Sequence, residues 1–149
     1  MKEDLTMNGK NIFEERLLAA IAHGSIVANG LGILVGVIVF LTQKEKSPYA
    51  ARQGIQAAVY QFLGFIIMIA LWILWGVFYA LTFIPIIQNP DLYQDAPPPI
   101  FFVGLATMVI PLIFMVLWGF YGLWGALQCW RGREFNYILI GKHIPIEWS

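Results

Sequence analysis

The sequence predicts an all-α integral membrane bundle of three long transmembrane helices. The first of them is either continuous or broken into a re-entrant hairpin, and a short interfacial C-terminal tail follows the third. Two observations carry this fold class. Residues 17–43, 53–90 and 96–130 contain no Asp, Glu, Lys or Arg, and each of these runs exceeds the roughly 20 apolar residues that a helix needs to cross a hydrocarbon core of about 30 Å. Only 12% of the 149 residues are charged and 59% are hydrophobic, whereas about a quarter of an ordinary soluble domain is charged. The expected layout is a polar N-terminal tail (1–16), one transmembrane domain (17–144) with spans at 17–42, 53–84 and 100–130 and an interfacial tail at 131–144, and a short C-terminal end (145–149).

The opening segment MKEDLTMNGK is polar, and Asn11 followed by Glu14 fits an N-cap with a carboxylate three residues on, which predicts a helix from about Ile12. Its acidic residues and the length of the following apolar run do not fit a secretory signal peptide, so the segment is expected to stay as a membrane anchor. In the first span, Ala20, Gly24, Ala28, Gly32 and Gly36 recur every four residues and would form a helix-packing face on a continuous helix. Asn29-Gly30 with Gly32 equally permits a break, which would turn the span into two half-helices. Lipid-exposed irregular backbone is costly and favours the continuous form.

Ser47-Pro48 suits the start of the second helix, with Pro near its first position. Gln53, Gln56 and Gln61 are expected at headgroup depth or facing other helices. Pro85, Pro90 and Pro97 to Pro99 forbid helix in the connection that follows. Pro111 inside the third span predicts a kink at 107–111. Trp130 and Arg131 suit a membrane interface, and Phe135, Tyr137 and Trp148 are expected to anchor the tail there.

Basic residues set the orientation. With three continuous spans, Lys2, Lys10 and Arg16 fall on one side, while Lys44, Lys46, Arg52, Arg131, Arg133 and Lys142 fall on the other and place the first connection and the C-terminus in the cytoplasm. With a re-entrant first segment all nine share one side, and the loop bearing Asp91 and Asp95 has none.

Little in the chain suggests chemistry. His23, with Ser25 and Asn29 nearby, forms the one candidate intramembrane polar site, because ionisable groups in a span are costly to keep. No metal-ligand spacing, phosphate loop, nucleophile elbow or paired carboxylates within a span occurs, so neither a catalytic residue, a metal nor a cofactor is expected. The single Cys129 near a helix end reads as a packing residue. Zero formal net charge gives no basic stripe for nucleic acid.

Several segments together resemble a family of small bacterial membrane proteins of unknown function, distantly related to the twenty-kilodalton Tic subunit of the chloroplast inner-envelope translocon. The similar stretches are Ala19 to Ser25 with Gly30 to Gly36, Lys44-Glu45-Lys46-Ser47-Pro48-Tyr49, Gln56 to Gln61, and Gly132 to Gly141. The chain departs from the family pattern at Val59, where Asn is usual, at Ile138, where Pro is usual, and at Phe40, where Trp is frequent. The resemblance implies a helical membrane fold with no established catalysis or cofactor. Residues and resemblance together point to a non-enzymatic accessory subunit of a larger complex in the cell membrane, for example an energy-converting one, with lipid and other membrane subunits as partners. The alternative is a component of a transport or channel system.

Overall fold

The structure is a computed structural model that describes residues 2–138, 140 and 141, with only the backbone for residues 2–10. The described residues are helical or irregular, with no strand. Six α-helices follow in order: α1 (Lys2–Gly24), α2 (Gly30–Gln43), α3 (Pro48–Leu81), α4 (Ile84–Gln88), α5 (Pro99–Ala106) and α6 (Val109–Trp130). Trp148 and His143 lie outside the described residues.

Two helical stretches are long and apolar enough to cross a membrane, Pro48–Gln88 with 41 residues and Pro99–Trp130 with 32. They are not core helices of a water-soluble fold, because in the most apolar window of each only 6% and 11% of residues are buried. Ile73, Leu74, Val77, Ile110, Ile113 and Leu117 all stand exposed. Exposed apolar surface on this scale is stable only against lipid or protein.

The first predicted span is not one helix. Chain direction changes through a 3₁₀ turn at Ser25–Ala28, and Asn29 takes φ 56°. Asn tolerates positive φ better than most side chains, and the turn closes on itself through Asn29 N–H to the Ile26 carbonyl and Gly32 N–H to the Asn29 carbonyl. The Ser25 hydroxyl lies within hydrogen-bond reach of two free-ended carbonyls, Ala22 at 2.8 Å and Gly32 at 3.2 Å. Helices α1 and α2 therefore form a hairpin, with Leu18 and Ala22 of α1 packed with Val39 of α2 and Ala57 of α3. At 14 residues α2 is about 21 Å long, short of a full crossing. A second difference lies upstream: α1 begins at Lys2, so Asn11 and Glu14 sit inside a helix and do not cap one.

The Cα framework divides into two units. One comprises the described residues up to Phe65 together with those from Trp118 onward, and the other spans Ile66–Leu117. In the first unit, α2 meets α3 almost backbone to backbone. A Cβ on Gly36 would lie 2.8 Å from the Ala58 nitrogen and 2.9 Å from the Gly54 carbonyl oxygen, so only glycine permits the approach. Helix α3 starts as the sequence predicts: Pro48 opens it, and the Ser47 hydroxyl accepts the Ala50 N–H at 3.2 Å.

The second unit is a pair of apolar helical arms joined by the proline-rich connection. A chain of aromatic contacts runs through Trp72, Trp75, Tyr79, Phe83 and Phe101, with Trp75 and Tyr79 stacked at 5.2 Å. The Trp75 indole N–H donates to the Gly104 carbonyl at 3.1 Å. Helix α5 ends at Ala106 and α6 begins at Val109, within the 107–111 interval that Pro111 predicts as a kink. Proline has no N–H with which to bond the Thr107 carbonyl, and the Ile110 N–H takes that acceptor instead.

Candidate functional site

Thr82 is buried in the second unit, whereas His23, Gln53, Cys129 and Tyr137 converge in the first, in a buried network that joins α1, α3, α6 and the tail. Its centre is His23, fully buried at the end of α1. The Tyr137 hydroxyl donates to His23 Nδ1 at 2.8 Å, and His23 Nε2–H donates to Gln53 Oε1 at 2.9 Å. One neutral tautomer, protonated on Nε2, satisfies both bonds. The Cys129 thiol also points to Gln53 Oε1, at 3.5 Å.

Tyr137 is the tail residue that closes the network, and burial pushes its phenol well above the usual tyrosine range. It therefore stays a hydroxyl and a donor. Its ring stacks on Tyr60 with centroids 3.8 Å apart, and the far face of Tyr60 stacks on Trp118 at 4.2 Å. The Tyr60 hydroxyl donates to the Trp118 carbonyl at 2.8 Å. Phe135 sets its edge against His23. The tail is thus threaded over the helices by aromatic contacts and one buried hydrogen bond.

Two neighbouring clusters extend the pattern. Gln61 Nε2 donates to the Ala22 carbonyl at 2.9 Å and to the Ser25 hydroxyl at 3.3 Å, tying α3 to the hairpin turn. Gln56 Nε2 and Arg52 Nη2 both donate to Asn136 Oδ1, at 3.1 and 3.0 Å, and Arg52 also faces Glu134 at 3.7 Å. The three glutamines of α3 are all buried and face other elements.

The sequence-predicted residues separate on this structure. Of the small-residue row, Gly32 and Gly36 are buried on α2, a Cβ on Gly24 would meet the Ala126 methyl at 3.7 Å, and Ala28 is exposed in the turn. They do not share one helix face, because the break at Ser25–Asn29 puts them on two antiparallel helices. Of the polar trio, His23 and Ser25 are bonded internally, while Asn29 is exposed and serves the turn geometry. Trp130 and Arg131 are exposed at the end of α6, whereas Tyr137 is only 2% exposed and packs inside the fold. Its partner lies 114 positions earlier in the chain, where local hydropathy gives no sign of it. Gln53 carries a clearer signal, since a polar residue inside an apolar run must find a partner.

Chemically, this arrangement holds elements together. His23, Tyr137, Gln53 and Cys129 engage one another. Gln56 Oε1, Gln61 Oε1 and Arg52 Nε are buried without a hydrogen-bond partner among the described residues, and no group of three or more His, Cys, Asp or Glu that could hold a metal ion occurs among those residues.

Fold and site define a membrane protein, helical over its described residues, with one unit of apolar arms and one unit joined by buried hydrogen bonds. More particularly, the chain belongs to the MamF/MmsF family, described as the magnetosome magnetite crystal formation protein family, whose model matches residues 14–144. It is a family of small bacterial membrane proteins, and the match carries no indication of the Tic relationship that the short motifs suggest. No curated protein and no solved structure matches the chain.

Proposed function

We propose that this chain is a non-enzymatic accessory protein of the magnetosome membrane that acts in magnetite crystal formation by packing within a larger membrane assembly. The observation that carries this reading is the family match over 14–144, combined with apolar arms whose side chains face outward. Such arms need lipid or protein neighbours, and His23, Gln53, Tyr137 and the Gln61 amide nitrogen bond within the fold. Removing the chain from a magnetite-forming bacterium should change the size, number or shape of its crystals in electron micrographs. Mild-detergent extraction of its magnetosome membranes should show the chain migrating with other subunits. Unaltered crystals, or a 16.9 kDa chain running alone, would count against the role or the assembly respectively.

A transport role is the second reading, and the broken first segment favours it, because interrupted helices line pathways in transporters. Ion flux in vesicles carrying the purified chain, lost on His23→Ala, would select it over the accessory role.

The topology that goes with the accessory reading places the N-terminus, the first connection and the C-terminus in the cytoplasm, with the hairpin entering and leaving on that side. Asn11, Glu14 and Glu15 of α1 line one cavity of about 290 Å³ with Gln43, Lys46 and Ser47, which supports a shared end for the tail and the first connection. All nine basic residues then fall on one side. Cys129 is fully buried, so single cysteines can report sidedness. Asn8→Cys and Glu45→Cys should label with an impermeant maleimide from the cytoplasmic face, and Asp95→Cys from the opposite face. Labelling of Asn8→Cys with Asp95→Cys would restore a continuous first span.

A further inference from the structure

The end of α6 carries a group of cations that the fold brings together without supplying a counter-charge. Gly132 adopts φ 73°, its N–H bonds the Cys129 carbonyl at 2.9 Å, and the Arg133 N–H bonds the Gln128 carbonyl at 3.0 Å. This pairing is the Schellman turn, and it holds Arg131 and Arg133 on either side of a glycine that no other residue replaces without strain. The guanidinium of Arg16, arriving from α1, lies directly against Gly132, in the space where a Cβ would stand. Three exposed arginines thus come together around Gly132, two adjoining it in the chain and one laid against it from more than a hundred residues away. Among the described residues no carboxylate pairs with Arg16, Arg131 or Arg133; the neighbouring Glu134 faces Arg52 instead. The carbonyls at the end of α6 offset part of this charge but do not cancel it.

Beside the cations stands an exposed apolar pair. Phe13 and Trp130 meet edge to face with centroids 5.9 Å apart, and each is more than half exposed. A free inorganic anion would use the guanidinium groups and leave the rings idle. A ligand with a phosphate and an attached hydrocarbon uses both, since arginine takes phosphate oxygens through paired N–H groups and Trp suits the headgroup level. We infer that Arg16, Arg131 and Arg133, flanked by Phe13 and Trp130, form a binding site for the phosphate headgroup of an anionic phospholipid. The site requires a membrane around the chain but not the role in crystal formation, so it stands or falls separately from that role.

Native mass spectrometry of the full chain in mild detergent, with phosphatidylglycerol and phosphatidylcholine added in equal amounts, tests the site. The chain should retain phosphatidylglycerol in preference, and the R16Q/R131Q/R133Q variant should lose that preference by about tenfold or more. K44Q/K46Q removes charge elsewhere and should keep most of it, and millimolar inorganic phosphate should not displace the lipid. Equal retention of both lipids, an unchanged triple variant, an equal loss in K44Q/K46Q, or displacement by phosphate would each overturn the site. Should the triple variant fail to fold by circular dichroism, R16Q alone, which leaves the turn intact, should still lower retention about threefold. A folded R16Q with wild-type retention overturns the site as well.

Discussion

The two units of this protein each take part of α3 and α6 and differ in their means of cohesion. In the first, glycine lets backbones touch at Gly36 and Gly54, and buried Gln53, Gln56, Gln61, His23 and Tyr137 bind the elements to one another. In the second, Gly76 meets nothing within 4 Å, Gly104 packs closely on Thr82 and accepts the Trp75 indole N–H, and aromatic edges and faces run along and between arms whose outer side chains are bare. The difference teaches what a membrane does to packing. Lipid tails are as apolar as Leu, so hydrophobicity alone cannot hold helices together there. Close backbone approach and buried polar bonds must do so, and they are concentrated in the first unit.

The contrast can be broken by substitution, with stability read by denaturant titration in mixed micelles. The largest effect should come from Gly36→Leu, which forces α2 off α3 and should cost roughly 3 kcal/mol or more. A Gly36→Leu chain as stable as the parent would show that the glycine contact is incidental. Next is Gln53→Ala, which strips His23 and Cys129 of their shared acceptor and should cost about 2–3 kcal/mol. Tyr137→Phe keeps the stacked ring but orphans His23 Nδ1, and should cost about 1–2 kcal/mol. Combined with His23→Ala it should cost less than the sum of the two, as coupled partners do.

Tyr137 also gives the comparison a pH dependence. Its phenol is raised by burial, so the fold favours the neutral form. The stability it contributes is present below the ordinary tyrosine value of about 10 and declines as pH rises beyond it. Tyr137→Phe should flatten that decline. At the small end lie substitutions in the second unit. Ile73→Ala should change stability by no more than about 0.5 kcal/mol, because lipid replaces the lost contacts. Gly76→Ala should be neutral or stabilising by up to about 1 kcal/mol through helix propensity. A large loss at Ile73 would reveal a protein neighbour on that arm and sharpen the assembly proposed above.

Particular residues show where sequence reading succeeds. The break around Pro111 and the start of α3 at Ser47-Pro48 are local: each follows from a missing N–H, a fixed φ or a capping hydroxyl. The proline connection differs from expectation, because Pro85 lies in the first turn of α4 and Pro90 opens a 3₁₀ turn, positions where a missing N–H costs nothing. The sequence leaves the first segment open between two forms, because Asn29-Gly30 permits a break that lipid disfavours when exposed. What decides it is shielding, through the Ser25 and Gln61 bonds and the Leu18–Ala22–Val39–Ala57 packing. The sequence around Tyr137 suggests an interfacial anchor, because an aromatic residue just past a span commonly is one, and nothing near it in the chain announces His23.

By itself, the sequence determined the solvent. Charge-free runs of this length leave lipid as the surroundings of most of the chain, and composition is a property that no folding can alter. Only the tertiary structure decided which polar groups meet, that the small-residue row divides between two helices, and that the tail turns inward. Those outcomes depend on hydrogen bonds and close contacts between residues far apart in the chain, and such pairings leave no trace in local periodicity.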